Sequence, residues 1–249
     1  MKINRLYIII VCLLILILPG CAKEGGQCPT STGKERYEER NIISEFDSVY
    51  LYGNMNLHIT EGPVFRLYVY AGENLLPGIL TGFSGKRLRI EDVNSCDYIR
   101  DLNPKMDVYL TLPKLKYLEF SSSGTISATN TLTSDSLAVQ CWSGGGSLKM
   151  DIRAKECWFI EHTGAVDFTV SGVCPNTYIY HTGYAPFDFK NLKAERVHVV
   201  NRSSNHSYVN ASKFLGAELW NLGNIYYIGS PEEIKIENHG KGRLIPFQP

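Results

Sequence analysis

The chain has 249 residues, with 25 Lys and Arg against 25 Asp and Glu, a formal net charge of zero. No strong field is available to recruit a polyanion, so nucleic acid is not an expected partner. Aromatic residues make up 11%, with 15 Tyr against 3 Trp, a balance that favours strands carrying half-exposed phenols.

Lys2 and Arg5 precede an uncharged apolar run from Leu6 to Leu18. At helical rise it covers about 20 Å, short of the roughly 30 Å hydrocarbon core, so residues 1–20 read as an export signal rather than a membrane span. The run ends in Pro19-Gly20-Cys21, which resembles the lipobox of bacterial lipoproteins although Pro19 departs from its usual residue. Lipidation of Cys21 is therefore expected. Each acyl chain would contribute about 0.8 kcal/mol per buried methylene to membrane attachment. Residues 21–40, rich in Gly, Lys, Glu, Ser and Thr, read as a tether. Loss of Lys2 and Arg5 with the signal leaves 23 basic against 25 acidic side chains.

Residues 41–112 carry strand-like alternation, with Met55, Leu57 and Ile59 after Gly53, then Leu67, Val69, Leu88, Ile90, Val108 and Leu110. Their spacing is irregular, and Pro63, Pro77 and the stretch from Asn94 to Pro104 mark longer loops. This part is expected to cap the open end of the array that follows.

From residue 113 to 249, glycines in similar surroundings fall at Gly124, Gly144, Gly164, Gly183, Gly223 and Gly242, at intervals of 20, 20, 19, 40 and 19. The interval of 40 holds one skipped beat near Arg202 and Ser203. A fixed period of this size signals stacked repeats. Two, four and six positions beyond the glycines the chain tends to be apolar, as in Val166, Phe168 and Val170 or Ala185, Phe187 and Phe189. Period two means strands with one buried face, and a further short strand precedes each glycine. Twenty residues cannot enclose a core, but stacked parallel coils can. The expected fold is all-β: a two-sheet β-solenoid, or parallel β-helix, of about 20-residue coils, with glycines providing positive φ at the corners. A sandwich of hairpins would also alternate, but it favours two-residue Asn-Gly turns and not a constant interval.

The stretches Phe46 to Gly62, Glu73 to Asp92, Leu112 to Gly124 and Leu222 to Pro246 resemble the putative auto-transporter adhesin, head GIN domain family of exported Bacteroidetes proteins. The resemblance implies a right-handed, pectin-lyase-like β-helix with a role in adhesion. It implies no catalytic residues, and the Gly-Ser-Gly turns of that family are degenerate here.

Candidate chemistry is sparse. In the glycine register His162 and His181 would stack about 4.8 Å apart and could hold zinc or copper with a third ligand. Trp142 and Val200 share that column, however, and Glu161 should face away, so a solvated pair without metal is expected. Asp151, Asp167 and Asp188 fall in different columns, and Glu119, Glu161 and Glu218 are scattered. The carboxylate cluster of a polysaccharide lyase or glycosidase is not legible. Of five cysteines beyond Cys21, Cys28, Cys96, Cys141, Cys157 and Cys174, none forms a CxxC pair. Three sequons at Asn201, Asn205 and Asn210, with His206 at an apolar beat, mark a polar, weak coil. Trp142, Trp158, Tyr178, Tyr180 and Trp220 recur near the first strand of each coil and are the candidate ligand-binding residues.

The expected protein is thus a non-enzymatic, lipid-anchored adhesion module of the outer membrane, facing either outward or into the periplasm. It needs no cofactor and binds a glycan or protein. The competing readings are a polysaccharide-active enzyme on a β-helix and a periplasmic structural or sensory lipoprotein.

Overall fold

The computed structural model describes residues 31–95 and 104–248; the export signal, Cys21, Cys28 and Cys96 lie outside the described residues. The chain forms β1 (Glu35–Glu39), β2 (Ser48–Tyr52), β3 (Asn56–Glu61), β4 (Arg66–Gly72), β5 (Ile79–Ser84), β6 (Arg87–Asp92), β7 (Met106–Leu112), β8 (Tyr117–Ser122) and β9 (Thr125–Ala128). The array continues with β10 (Leu132–Gly144), β11 (Ser147–Glu161), β12 (Asp167–Val173), β13 (Asn176–His181), β14 (Phe187–Asn201), β15 (Ser207–Leu219), β16 (Ile225–Ile228), β17 (Glu233–Asn238) and β18 (Leu244–Pro246).

These strands stack in parallel as a β-solenoid with two faces. One face runs β6, β2, β8, β10, β11, β13, β14, β15, β17. The other runs β7, β3, β9, β11, β12, β14, β15, β16, β18. Long strands such as β11 bend at a corner and serve both. Because a strand's side chains alternate sides, the apolar beats of successive coils align into continuous columns. On the first face Leu88, Val49, Leu118, Val139, Phe159, Ile179, Val199 and Ala217 are in register, and all are buried. Phe168 and Phe187 on the second face pack with ring centroids 4.2 Å apart, and Phe159 meets Phe189 at 4.9 Å. The aromatic layer fills the interior between the two faces.

The glycines serve a purpose other than the expected one. Of the six repeat glycines only Gly164 has a positive φ, 117°. The others are required by close approach. A Cβ on Gly124 would strike the carbonyl of Met55, on Gly144 that of Ser122, on Gly223 that of Asn205 and on Gly242 that of Gly223. At these four turns backbone rests on backbone, while at Gly183 the glycine makes room for the Glu161 carboxylate, and a side chain would hold each contact apart. At the skipped beat Ser203 substitutes by bonding where glycine would touch: its hydroxyl donates to the Gly183 carbonyl at 2.5 Å.

The coil expected to be weak is well satisfied. The inward position belongs to Ser207, fully buried, not to His206, whose Nδ1 accepts the Asn224 N–H at 3.0 Å. Asn201, also fully buried, receives the Ser203 N–H and donates to the carbonyls of Asn205 and Asn224.

The irregular spacing before the array has a topological cause. The coil β2–β3 lies between β6–β7 and β8–β9, so the chain leaves the stack, returns on its outer side, and then crosses to the inner side. Antiparallel strands close this end, β5 on β6 and β4 on β7, with β1 on β4. β1 belongs to the stretch expected to be tether; Tyr37 anchors it by packing 4.5 Å from Tyr70 and 5.9 Å from Tyr109. At the other end β17 is exposed along its whole length, including the inward-register Ile234 and Ile236.

Candidate functional site

The five candidate aromatics all point outward on the first face, because the inward set is fixed by Cys157, Phe159, Thr177, Ile179, Val197 and Val199. Trp158 and Tyr178 share one column with His198, and Tyr180 shares the next with Glu218. A third line follows where the strands end, through Trp142, His162, Thr182, Arg202, Trp220 and His239, with backbone bonds continuing from coil to coil. Trp142 stacks on His162 at 3.9 Å and 12°, Trp220 on His239 at 4.0 Å and 22°, and Tyr178 faces His198 at 5.6 Å and 5°. Trp142 is 48% and Trp220 38% exposed, large for residues held so rigidly.

Polar groups lock this ladder. The Glu119 carboxylate accepts from Tyr52 Oη at 2.5 Å and Tyr117 Oη at 2.7 Å. Burial raises its pKa, but these bonds and one from Trp142 outweigh that and hold it below the ordinary range. Burial and Glu119 together push the Tyr52 phenol up to about 12. Glu218 accepts from Trp220 Nε1 at 3.0 Å and pairs with His198 Nε2 at 2.9 Å, and both hold its carboxyl low. Between the columns a shallow groove of about 290 Å³ is lined by Trp158, Tyr178, Arg196, His198 and Phe214.

His162 and His181 do not form a pair. The ladder spaces coils here by twenty residues, so Glu161, not His162, lies opposite His181, with Cys141 and Asn201 next in the column. The two His-Thr-Gly segments are nineteen residues apart and are offset by one position. One histidine therefore faces out and the other in. His162 is the half-buried, outward partner of Trp142, whereas His181 is fully buried, stacked on Phe187 at 4.1 Å with Nδ1 2.9 Å from Ser207 Oγ. Its Nε2 is 3.8 Å from Glu161 Oε2 and has no hydrogen-bond partner among the described residues. Glu161 is also fully buried, receiving the N–H groups of Gly183 at 3.0 Å and Val166 at 3.3 Å. Burial raises the Glu161 carboxyl to about 7 and lowers His181 to about 4, so both are neutral between these values. The signal was the spacing 161, 181, 201 at an inward beat. No cluster of three or more His, Cys, Asp or Glu among the described residues could hold a metal ion. Cys141, Cys157 and Cys174 are free and buried.

A second polar group escaped the sequence. On the outer side of the second face His58 Nε2 is 3.0 Å from Asp107 Oδ1, and Nδ1 is 3.2 Å from Ser127 Oγ. The three residues come from β3, β7 and β9, whose pairing the insertion of β4 to β7 conceals. The order serine, histidine, aspartate resembles a nucleophilic relay. Ser127, however, sits in mid-sheet between His58 and Lys149, where backbone N–H groups are committed to the ladder and no oxyanion would find donors. The group chiefly accommodates Asp107, itself buried.

The acidic residues considered for sugar cleavage remain apart. Asp151 binds Thr131 and Ser171 hydroxyls, Asp188 pairs with Lys190, and Asp167 stands exposed at the start of β12. Glu119 and Glu218 face out on the first face while Glu161 faces in.

Among solved structures, the fold is similar to a putative adhesin from Bacteroides fragilis NCTC 9343, with TM-score 0.82 and 20% identity over 87% of this chain and 99% of that one. A putative lipid binding protein from Parabacteroides distasonis ATCC 8503 matches with TM-score 0.63 and 17% identity, covering 86% and 97%. A putative adhesin from Parabacteroides merdae ATCC 43184 matches with TM-score 0.63 and 15% identity, covering 87% and 97%. A search of curated proteins finds no match. The family model described as putative auto-transporter adhesin, head GIN domain, matches residues 45–231. With most of the solenoid inside that match, the chain belongs to the head GIN domain family of putative adhesins.

Proposed function

We propose that this protein is an exported, lipid-anchored adhesion module of the outer membrane that binds a glycan or protein without turning it over. In this reading Cys21 carries the acyl chains, the residues between it and β1 form the tether, and β1 together with residues 41–249 makes one head domain. Ligand meets the outward aromatic ladder of Trp142, Trp158, Tyr178, Tyr180 and Trp220. The observation that carries the reading is the rigid exposure of Trp142 and Trp220, each stacked on a histidine at about 4 Å. Aromatic faces fixed before binding lose little side-chain entropy on contact.

The test is binding of the full-length protein to an array of immobilised glycans and matrix proteins. The double variant Trp142→Ala/Tyr180→Ala is expected to lose binding at least tenfold with an unchanged unfolding midpoint; undiminished binding refutes the choice of face. Protease shaving of intact cells, with a periplasmic control that survives, tests orientation. Digestion of the head is expected, and its survival until the outer membrane is opened overturns an adhesive role.

A further inference from the structure

The cations of this face differ from its anions in a way that specifies the ligand. Glu119 and Glu218 are engaged as described, Glu91 accepts from Arg89 Nε at 3.0 Å, and the exposed Glu156, which lines the groove with Arg196, lies two strands from it in the same column. Three arginines are not matched in this way. Arg202 lies over the Trp220 ring at 4.2 Å, Arg196 over Phe214 at 4.7 Å and Arg87 over Tyr50 at 5.6 Å. None of the three has a carboxylate within ion-pair distance among the described residues. A guanidinium stacked on a ring keeps its edge free, and that edge presents a planar fork of N–H donors suited to carboxylate or sulfate.

We propose that the face binds an acidic polysaccharide, its uronate or sulfate groups held by Arg87, Arg196 and Arg202 and its sugar rings laid on the adjoining aromatics. The inference rests on the proposed binding face and narrows its ligand. Geometry favours a polymer. Arg196 on β14 and Arg202 just past its end are six residues apart, about 20 Å, and Arg87 stands six rungs away, about 29 Å at the inter-strand spacing. A single sugar spans neither. A peptide adding as a strand is disfavoured, because strands in the middle of this face are paired on both sides and offer no free edge. The overall charge is balanced, so recognition is local, through a few cations, rather than through the general field that draws proteins to nucleic acid.

Affinity electrophoresis of the full-length protein in mild detergent tests this, in gels containing polygalacturonate, its fully methyl-esterified form, dextran sulfate or dextran. The same protein is assayed in parallel on the glycan and matrix-protein array. Retardation by polygalacturonate or dextran sulfate but by neither uncharged counterpart is expected. Arg196→Gln/Arg202→Gln should weaken it at least tenfold at an unchanged unfolding midpoint, and Trp142→Ala should weaken it too. Equal retardation by charged and uncharged polymers, or by the acidic polymers regardless of the arginine substitutions, overturns the acidic assignment. If neither acidic polymer retards the protein but the array shows binding that depends on Trp142, the acidic assignment falls and the binding face stands. If no probe binds, both fall. Retention on phosphatidylserine vesicles in place of the polymers also overturns it.

Discussion

The buried pair Glu161 and His181 makes a prediction whose sign depends on both residues. His181 falls from an ordinary 6.5 to about 4 on folding, and Glu161 rises from 4.5 to about 7. Each gap corresponds to roughly 3 kcal/mol as an order of magnitude. Between about 4 and 6.5 the unfolded chain protonates His181 and the folded chain does not, so this residue alone makes stability rise with pH. Between 4.5 and about 7 the folded chain keeps the Glu161 proton that the unfolded chain has lost, so this residue alone makes stability fall with pH. Across the shared window each state holds one proton on the pair, and the two effects cancel. The native protein should show a plateau from the pair near pH 4.5 to 6.5, declining as pH rises toward 7. Glu161→Gln should expose the histidine effect, with stability climbing by about 3 kcal/mol from pH 4 to 6.5 relative to the native profile. His181→Gln should expose the carboxyl effect, falling by about the same amount between pH 4.5 and 7. Urea unfolding followed by tryptophan fluorescence at intervals from pH 4 to 8 measures all three. Profiles for the two variants that run parallel to the native one would refute the assignment of a neutral pair.

The close-approach account of the turns separates adjacent glycines. Gly144→Ala, whose Cβ meets the Ser122 carbonyl, should cost about 1–3 kcal/mol, whereas Gly145→Ala, with nothing within 4 Å, should stay within about 0.5 kcal/mol; equal urea midpoints for the pair would count against it. The group of Ser127, His58 and Asp107 should not react with a fluorophosphonate probe, since no oxyanion site accompanies it. Stoichiometric labelling abolished by Ser127→Ala would reopen the enzymatic reading. His58→Ala should remove one hydrogen bond from the buried Asp107 and destabilise the fold by about 1–3 kcal/mol, read from chemical denaturation. Loss below about 1 kcal/mol would show that Asn56 Nδ2, which donates to Asp107 at 3.0 Å, and Lys105, 3.9 Å away, suffice.

Period-two alternation and a twenty-residue repeat determined the solenoid by themselves, because both follow from the strand's two-sided geometry and the need of short coils to share a core. The inward identities of Val166, Phe168, Val170, Phe187 and Phe189 could be read from the repeat alone. The sequence could not give register to better than one residue, since the glycines mark turns and the ladders are set by strands. That single position sent His181 inward to Glu161 and left His162 on Trp142. It could not place β2 and β3 between later strands either, because a chain that leaves a stack and returns on its other side leaves no periodic trace. Only tertiary pairing brought His58, Asp107 and Ser127 together. Which face of each first strand is wet was likewise decided by the assembled core: once Phe159, Ile179 and Val199 filled the interior, Trp158, Tyr178, Tyr180 and the arginines beside them had only the outer surface to occupy.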